Sequence, residues 1–223
     1  NESLKKIAEL EQRLGHLAAA QQAGRELVAA NPDNMDHLQF YAELCFELGE
    51  KEEGLTSLRR MVRASSSDGS TLLKLGHELA NHGDPAEAIE IYWRALDITT
   101  DIETQTTVAS SLAALHLKIH QFDRLIQRLE ERARDLGKRR GAILALATAF
   151  QTAGDLVSAR SHLESIVDAE PQEEFVLTLL SRICEEEGDL QAAGDYVRRM
   201  EETWPSQSHR LRLTSLLVKS GEL

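Results

Sequence analysis

His116 and His120 stand four residues apart, the spacing that brings two imidazoles to one face of a helix and that a metal ion can use. A metal site needs three or four convergent ligands. No nearby Cys, Asp or Glu completes the set in sequence, and His77 and His82 in the preceding unit of chain are the further imidazoles that could approach. The pair is therefore expected to serve packing, His116 inside and His120 in a turn, with no metal and no cofactor. The Glu185-Glu186-Glu187 run and the Glu52-Glu53 pair read as solvated helix ends rather than paired catalytic carboxylates. The chain carries no glycine-rich phosphate loop, no nucleophile-elbow sequence and no Asp-x-Asp calcium loop. No enzyme activity is expected.

The elements that hold these residues follow a ruler. Glycines at 15, 49, 83, 154 and 188 are separated by 34 residues, or by twice 34 plus three. Units of 34 then begin at 1, 35 and 69 and, after the extra Glu103, Thr104 and Gln105, at 106, 140 and 174, with a terminal helix over 208–220. The turn position is Gly in every unit except the fourth, where His120 replaces it. Position 8 is small throughout (Ala8, Ala42, Gly76, Ala113, Ala147, Ser181), and position 20 is small in Ala20, Gly54, Ala88, Ala159 and Ala193. Small residues at fixed places let two helices approach closely, glycine in the left-handed region ends a helix, and Pro32, Pro171 and Pro205 at position 32 stop the second helix of their units. Apolar residues recur at helical spacing, as in Leu72, Leu75 and Leu79, then Ala88, Ile91, Tyr92 and Ala95. No stretch alternates with period two, so the expected class is all-α, built of repeated helix pairs.

Unit three, with Leu72, Leu75-Gly76, Leu79, Gly83-Asp84, Ala88, Tyr92 and Ala95, and unit five, with Ile143, Leu146-Ala147, Phe150, Gly154-Asp155, Ala159, Leu163, Ile166 and Pro171, resemble the tetratricopeptide repeat. The resemblance covers the whole chain. Unit four departs most, through His120, the three inserted residues, and Arg132 where a small residue is usual. The resemblance implies a right-handed superhelical solenoid of antiparallel helix pairs over 1–223, acting as a protein-protein interaction scaffold. In that family the first helices line a concave groove with positions 2, 5, 9, 12 and 13. Carried over, these offsets give candidate peptide-binding residues Gln39, Glu43 and Phe46; Leu73, His77 and Asn81; Ser110, Ala114 and Lys118; Leu144, Thr148 and Gln151; and Thr178 and Arg182. Leu117 and Phe175 fall in the same groove, and its exposed apolar side chains imply an apolar segment as ligand, while acidic ends imply basic flanks. The apolar members have a second role open to them, packing against the neighbouring first helix. The carboxylate clamp of chaperone-binding relatives is missing: its places hold Lys5 and Glu9, Phe40, and Ser70 and Lys74.

A net charge of −12, from 37 acidic and 25 basic side chains, argues against nucleic acid as partner. Arg124, Arg128, Arg132, Arg134, Lys138, Arg139 and Arg140 run the other way, interrupted by Glu130 and Glu131, and read as a solvated face with its own ion pairs. Cys45 and Cys184 share position 11 four units apart, too far to bridge in a stacked array. They are expected to be buried free thiols, which favour a reducing, cytoplasmic compartment. No apolar run reaches membrane-spanning length. The chain begins at Asn1 without Met and stops after the first helix of a seventh unit, as a fragment or processed product of a larger protein would. That last helix, with Leu211, Leu213, Leu216, Leu217 and Val218, is expected to pack on unit six and to leave an apolar face. Two further functions stay open: the repeat region of a larger enzyme or secretion or envelope-assembly protein that positions substrates, and a structural module that self-associates through the terminal helix.

Overall fold

The computed structural model describes residues 2–65, 68–83, 85–135, 137–169 and 174–221. Ser66, Asp84 and Pro171, which enter the repeat register, lie outside that set. The described residues form thirteen α-helices and no strand, as the helical spacing predicts. They fall into two compact units, Asn1–Thr99 and Thr100–Leu223.

The first unit holds α1 (Glu2–Arg13), α2 (Leu17–Ala30), α3 (Met35–Glu47), α4 (Lys51–Ala64), α5 (Gly69–His82) and α6 (Pro85–Ile98). Each helix packs on the next in sequence, and connections of two to four residues make the partners antiparallel. Asn34 caps α3 by accepting from His37 N, and Asp68 caps α5 by accepting from Ser70 N. The small positions have a visible cause. A methyl group on Gly76 would stand 2.4 Å from the Tyr92 ring, and one on Gly54 would stand 2.5 Å from the Phe46 ring. In both places an aromatic ring occupies the room that a side chain would need. Gly15 and Gly49 take φ of 80° and 78° and end α1 and α3 in the left-handed region. Gly83 departs from that expectation: its φ is −105°, and its backbone instead folds over the Leu79 carbonyl oxygen, which accepts from Gly83 N at 2.7 Å.

The second unit holds α7 (Ile102–Lys118), α8 (Phe122–Ala133), α9 (Arg139–Ala153), α10 (Leu156–Ala169), α11 (Glu174–Glu187), α12 (Leu190–Thr203) and α13 (Gln207–Ser220). The three extra residues at 103–105 are absorbed in the first turns of α7, which is 17 residues long and capped by Asp101 accepting from Thr104 N at 2.7 Å. His120 carries the turn in place of glycine: its φ is 55°, while Gly154 and Gly188 take 84° and 85°. A continuous core runs through α9–α13, from Leu144 and Leu163 through Leu177, Leu180 and Val197 to Leu216. The terminal helix packs on α12 with Leu216 inside. Leu211 and Val218 remain 64% and 61% exposed on its other side.

Candidate functional site

In the first unit the face of α3 that the register nominates is at the surface. Gln39 and Glu43 are exposed and joined by a 2.9 Å hydrogen bond from Gln39 Nε2. Both line a cleft of about 520 Å³ between α3, α4 and α5. Its floor is Met35, Leu58, Met61 and Leu75, and its rim carries Glu43, Asp68, Lys74 and Glu78. Asp68 accepts from Ser70 N, Ser70 Oγ and Thr71 Oγ1. The Thr71 bond and the two from Ser70 hold its carboxyl below the usual carboxylate range. Glu78 reaches His82 Nε2 at 3.8 Å.

Other nominated side chains in this unit do different work. Phe46 takes the packing role open to the apolar members of the groove. It is half-buried, lies over Gly54 and stacks on His82 at 3.9 Å, because the ring fills space that Gly54 leaves. His77 is exposed but sets its ring edge against Tyr92 at 5.6 Å. Leu73 is half-buried, and Asn81 is exposed. Beside α3, Gln12 of α1 donates to Glu47 at 3.2 Å.

The second unit repeats that last contact. Gln151 Nε2 lies 3.4 Å from Glu186, the same two positions of successive units that Gln12 and Glu47 occupy. Arg182 joins them, with Nη2 3.5 Å from Gln151 Oε1 and Nε 4.0 Å from Glu186. Ser110 meets Thr152 at 3.3 Å across α7 and α9. Ala114 and Lys118 are exposed on the same helix as Ser110. Leu144, expected in the groove, is 4% exposed and belongs to the core. Thr148 turns its hydroxyl onto the Leu144 carbonyl at 2.9 Å. Thr178 donates to the Glu174 carbonyl at 2.8 Å and touches Met200 Sδ at 3.2 Å.

The tetratricopeptide repeat family model matches residues 5–69 and 144–208. The chain belongs to the tetratricopeptide repeat family. The unmatched middle holds the insertion at 103–105 and the His120 turn. A curated protein of Komagataeibacter xylinus, cellulose synthase 1 operon protein C, is 23% identical over 176 residues, which is 74% of this chain and 13% of that protein. The chain thus spans about an eighth of that relative's length. Among solved structures, a tetratricopeptide repeat protein from Parabacteroides merdae is 13% identical with a TM-score of 0.49, over 99% of this chain and 87% of its own. PilW, described as a type IV pilus biogenesis factor, is 19% identical with a TM-score of 0.45, over 97% of both chains.

His116, Cys45 and Cys184 lie inside these repeats. His116 is 6% exposed; its Nδ1 lies 3.1 Å from the Gln121 carbonyl, and its Nε2 is buried without a partner. Burial pushes its pKa down, and Arg128 and Arg124 add to that. Cys45 and Cys184 are fully buried free thiols. Burial raises both, Cys184 to about 11, so little thiolate forms at neutral pH. Cys45 Sγ, Glu50 and Glu53 are close enough to share a cation. Their polar atoms are already engaged by Gln21, Tyr41 and Arg25. No helix among the described residues is long and apolar enough to cross a membrane.

The offset rule missed Met35, Asp68, Lys74 and Glu78 of the cleft. Lys74 stands at one of the clamp places of the chaperone-binding relatives, and Asp68 stands two residues before Ser70, an N-cap spacing.

Proposed function

We propose that this chain is a non-catalytic scaffold that takes a protein or peptide segment on the first-helix faces of its repeats. The observation behind this reading is the recurrence of one contact in both units: Gln12 with Glu47, and Gln151 with Glu186. It ties neighbouring first helices side by side, and the exposed Gln39, Asn81, Lys118 and Arg182 stand on first helices, where a peptide finds donors and acceptors. The inward placement of His116, Cys45 and Cys184 supports a role without turnover, since a reacting group needs access to its substrate. The excess of carboxylates favours a partner with an apolar stretch and basic flanks, and the two buried thiols favour a reducing compartment such as the cytoplasm.

A second reading, the repeat region of a longer envelope-assembly protein, is favoured by the match to a cellulose synthase operon protein of which this chain spans 13%. There the repeats would hold a component in place for another domain.

A pull-down from cell lysate, read by mass spectrometry, tests the scaffold. It uses the parent beside His77→Glu/Asn81→Lys in the first unit and Lys118→Glu/Arg182→Glu in the second. A partner captured by the parent and lost by a variant that keeps the parent's helical circular dichroism is the expected result. A partner retained by both variants removes the first-helix faces from the reading. Capture of the chain by itself, confirmed by concentration-dependent sedimentation, would replace it with self-association through the exposed Leu211 and Val218 of α13.

A further inference from the structure

We infer that the cleft between α3, α4 and α5 is an anchor pocket for one bulky apolar side chain with a lysine or arginine next to it. The inference rests on the scaffold reading and narrows it to one site and one ligand chemistry. Three features of the cleft point to that occupant.

The first is the floor. Leu58, Met61 and Leu75 are 2%, 4% and 3% exposed, and Met35 completes the apolar surface. About 520 Å³ is room for a large side chain and the stem of its neighbour rather than for a docked helix. The second is the sulfur content. Two of the chain's three methionines, Met35 and Met61, line this cleft. Unbranched thioethers adapt to several shapes, so leucine, methionine and phenylalanine should all fit. The third is the charge of the rim. Three carboxylates face one amine, Lys74. Asp68 spends both oxygens on Ser70 and Thr71, whereas Glu43 uses only Oε1, on Gln39, and Glu78 has a single 3.8 Å approach of its Oε2 to His82, so these two carboxylates keep an oxygen for an incoming cation. An anionic neighbour would face both of them and would have Lys74 as its counter-charge.

The test is fluorescence anisotropy of the whole chain with a short labelled peptide of leucine and lysine, beside its leucine–glutamate and serine–lysine counterparts. The leucine–lysine peptide should bind one per chain and the other two should not. Glu43→Gln/Glu78→Gln should weaken binding about five- to tenfold, the sum of two exposed ion pairs. Glu130→Gln/Glu131→Gln removes the same charge from α8 and should bind like the parent. The inference is overturned if the two double variants lose affinity equally, if neither loses any, or if the serine–lysine peptide binds as well as the leucine–lysine one. A pull-down partner that survives Glu43→Gln/Glu78→Gln but is lost on His77→Glu/Asn81→Lys would sink the anchor pocket and leave the scaffold standing.

Discussion

Arg59 and Glu87 meet in a two-pronged ion pair, Nε to Oε1 at 3.0 Å and Nη2 to Oε2 at 3.0 Å. They join α4 to α6 across 28 residues of sequence, and Arg25 and Glu53 pair at the same repeat positions 34 residues earlier, through Nη2 alone at 3.0 Å from Oε2, while Arg25 Nε donates to Tyr41. The second helices of the first unit are therefore tied by a repeating charge contact. Arg59 is 39% and Glu87 30% exposed, so water screens much of the attraction. A double-mutant cycle with Arg59→Ala and Glu87→Ala should return a coupling of about 0.5 kcal/mol from urea unfolding. It should shrink at high salt. A coupling indistinguishable from zero at low salt would make the pair a by-product of packing.

The turn of the fourth unit is the strained one. His120 sits at φ 55° where the other left-handed turns use glycine, and a side chain with a Cβ pays about 1 kcal/mol there. His120→Gly should raise the thermal midpoint, while Gly154→Ala should lower it by a comparable free energy. Nothing stands within 4 Å of a methyl group on Gly154, so its loss would report backbone conformation alone. A His120→Gly chain less stable than the parent would mean that the imidazole makes a stabilising contact.

Gly54 and Phe46 form a matched pair. Gly54→Ala should cost about 1–3 kcal/mol, the usual penalty of overpacking, because the new methyl meets the Phe46 ring. In a Phe46→Leu background the same change should cost clearly less. Equal cost in both backgrounds, measured by chemical denaturation, would place the strain elsewhere than in that ring.

His116 makes stability depend on pH. In the folded chain its pKa lies below the ordinary histidine value, first through burial and then through the charges of Arg128 and Arg124 on α8. The unfolded chain takes up its proton near pH 6.5, so between that value and the lower folded one the unfolded state binds more protons. Stability is therefore full above about pH 6.5 and falls as the pH drops through that window. The urea midpoint should decline from pH 7.5 to 5.5 more steeply for the parent than for His116→Leu. His162, lowered mainly by burial with Glu130 opposing, leaves a residual slope in the variant. Identical slopes would show that His116 does not carry the effect.

Much of the architecture was legible because it rests on local chemistry. Each turn glycine but Gly83 takes the left-handed backbone its register position required, and Ala8, Ala20, Ala42, Ala113 and Ala147 are all buried at helix contacts. The candidate site was legible only in part. Gln39, Glu43 and Arg182 face solvent as their offsets implied, while Leu144 turns into the core and Phe46 covers Gly54. A position in a repeat states which side of a helix a residue occupies. Its exposure depends on how close the neighbouring helix comes, and that distance is set by side chains many residues away.

By itself, then, the chain's pattern of glycine, small and apolar residues determined the class of fold, its repeat length and the all-helical content, since helix periodicity and turn conformation are written within a few residues. Only the tertiary structure decided that α3, α4 and α5 leave a cleft, that Met35, Met61, Glu43, Lys74 and Glu78 share it, and that Leu144 is lost to the core. Those outcomes come from the spacing and tilt of packed helices, a balance of many weak contacts between residues remote in sequence.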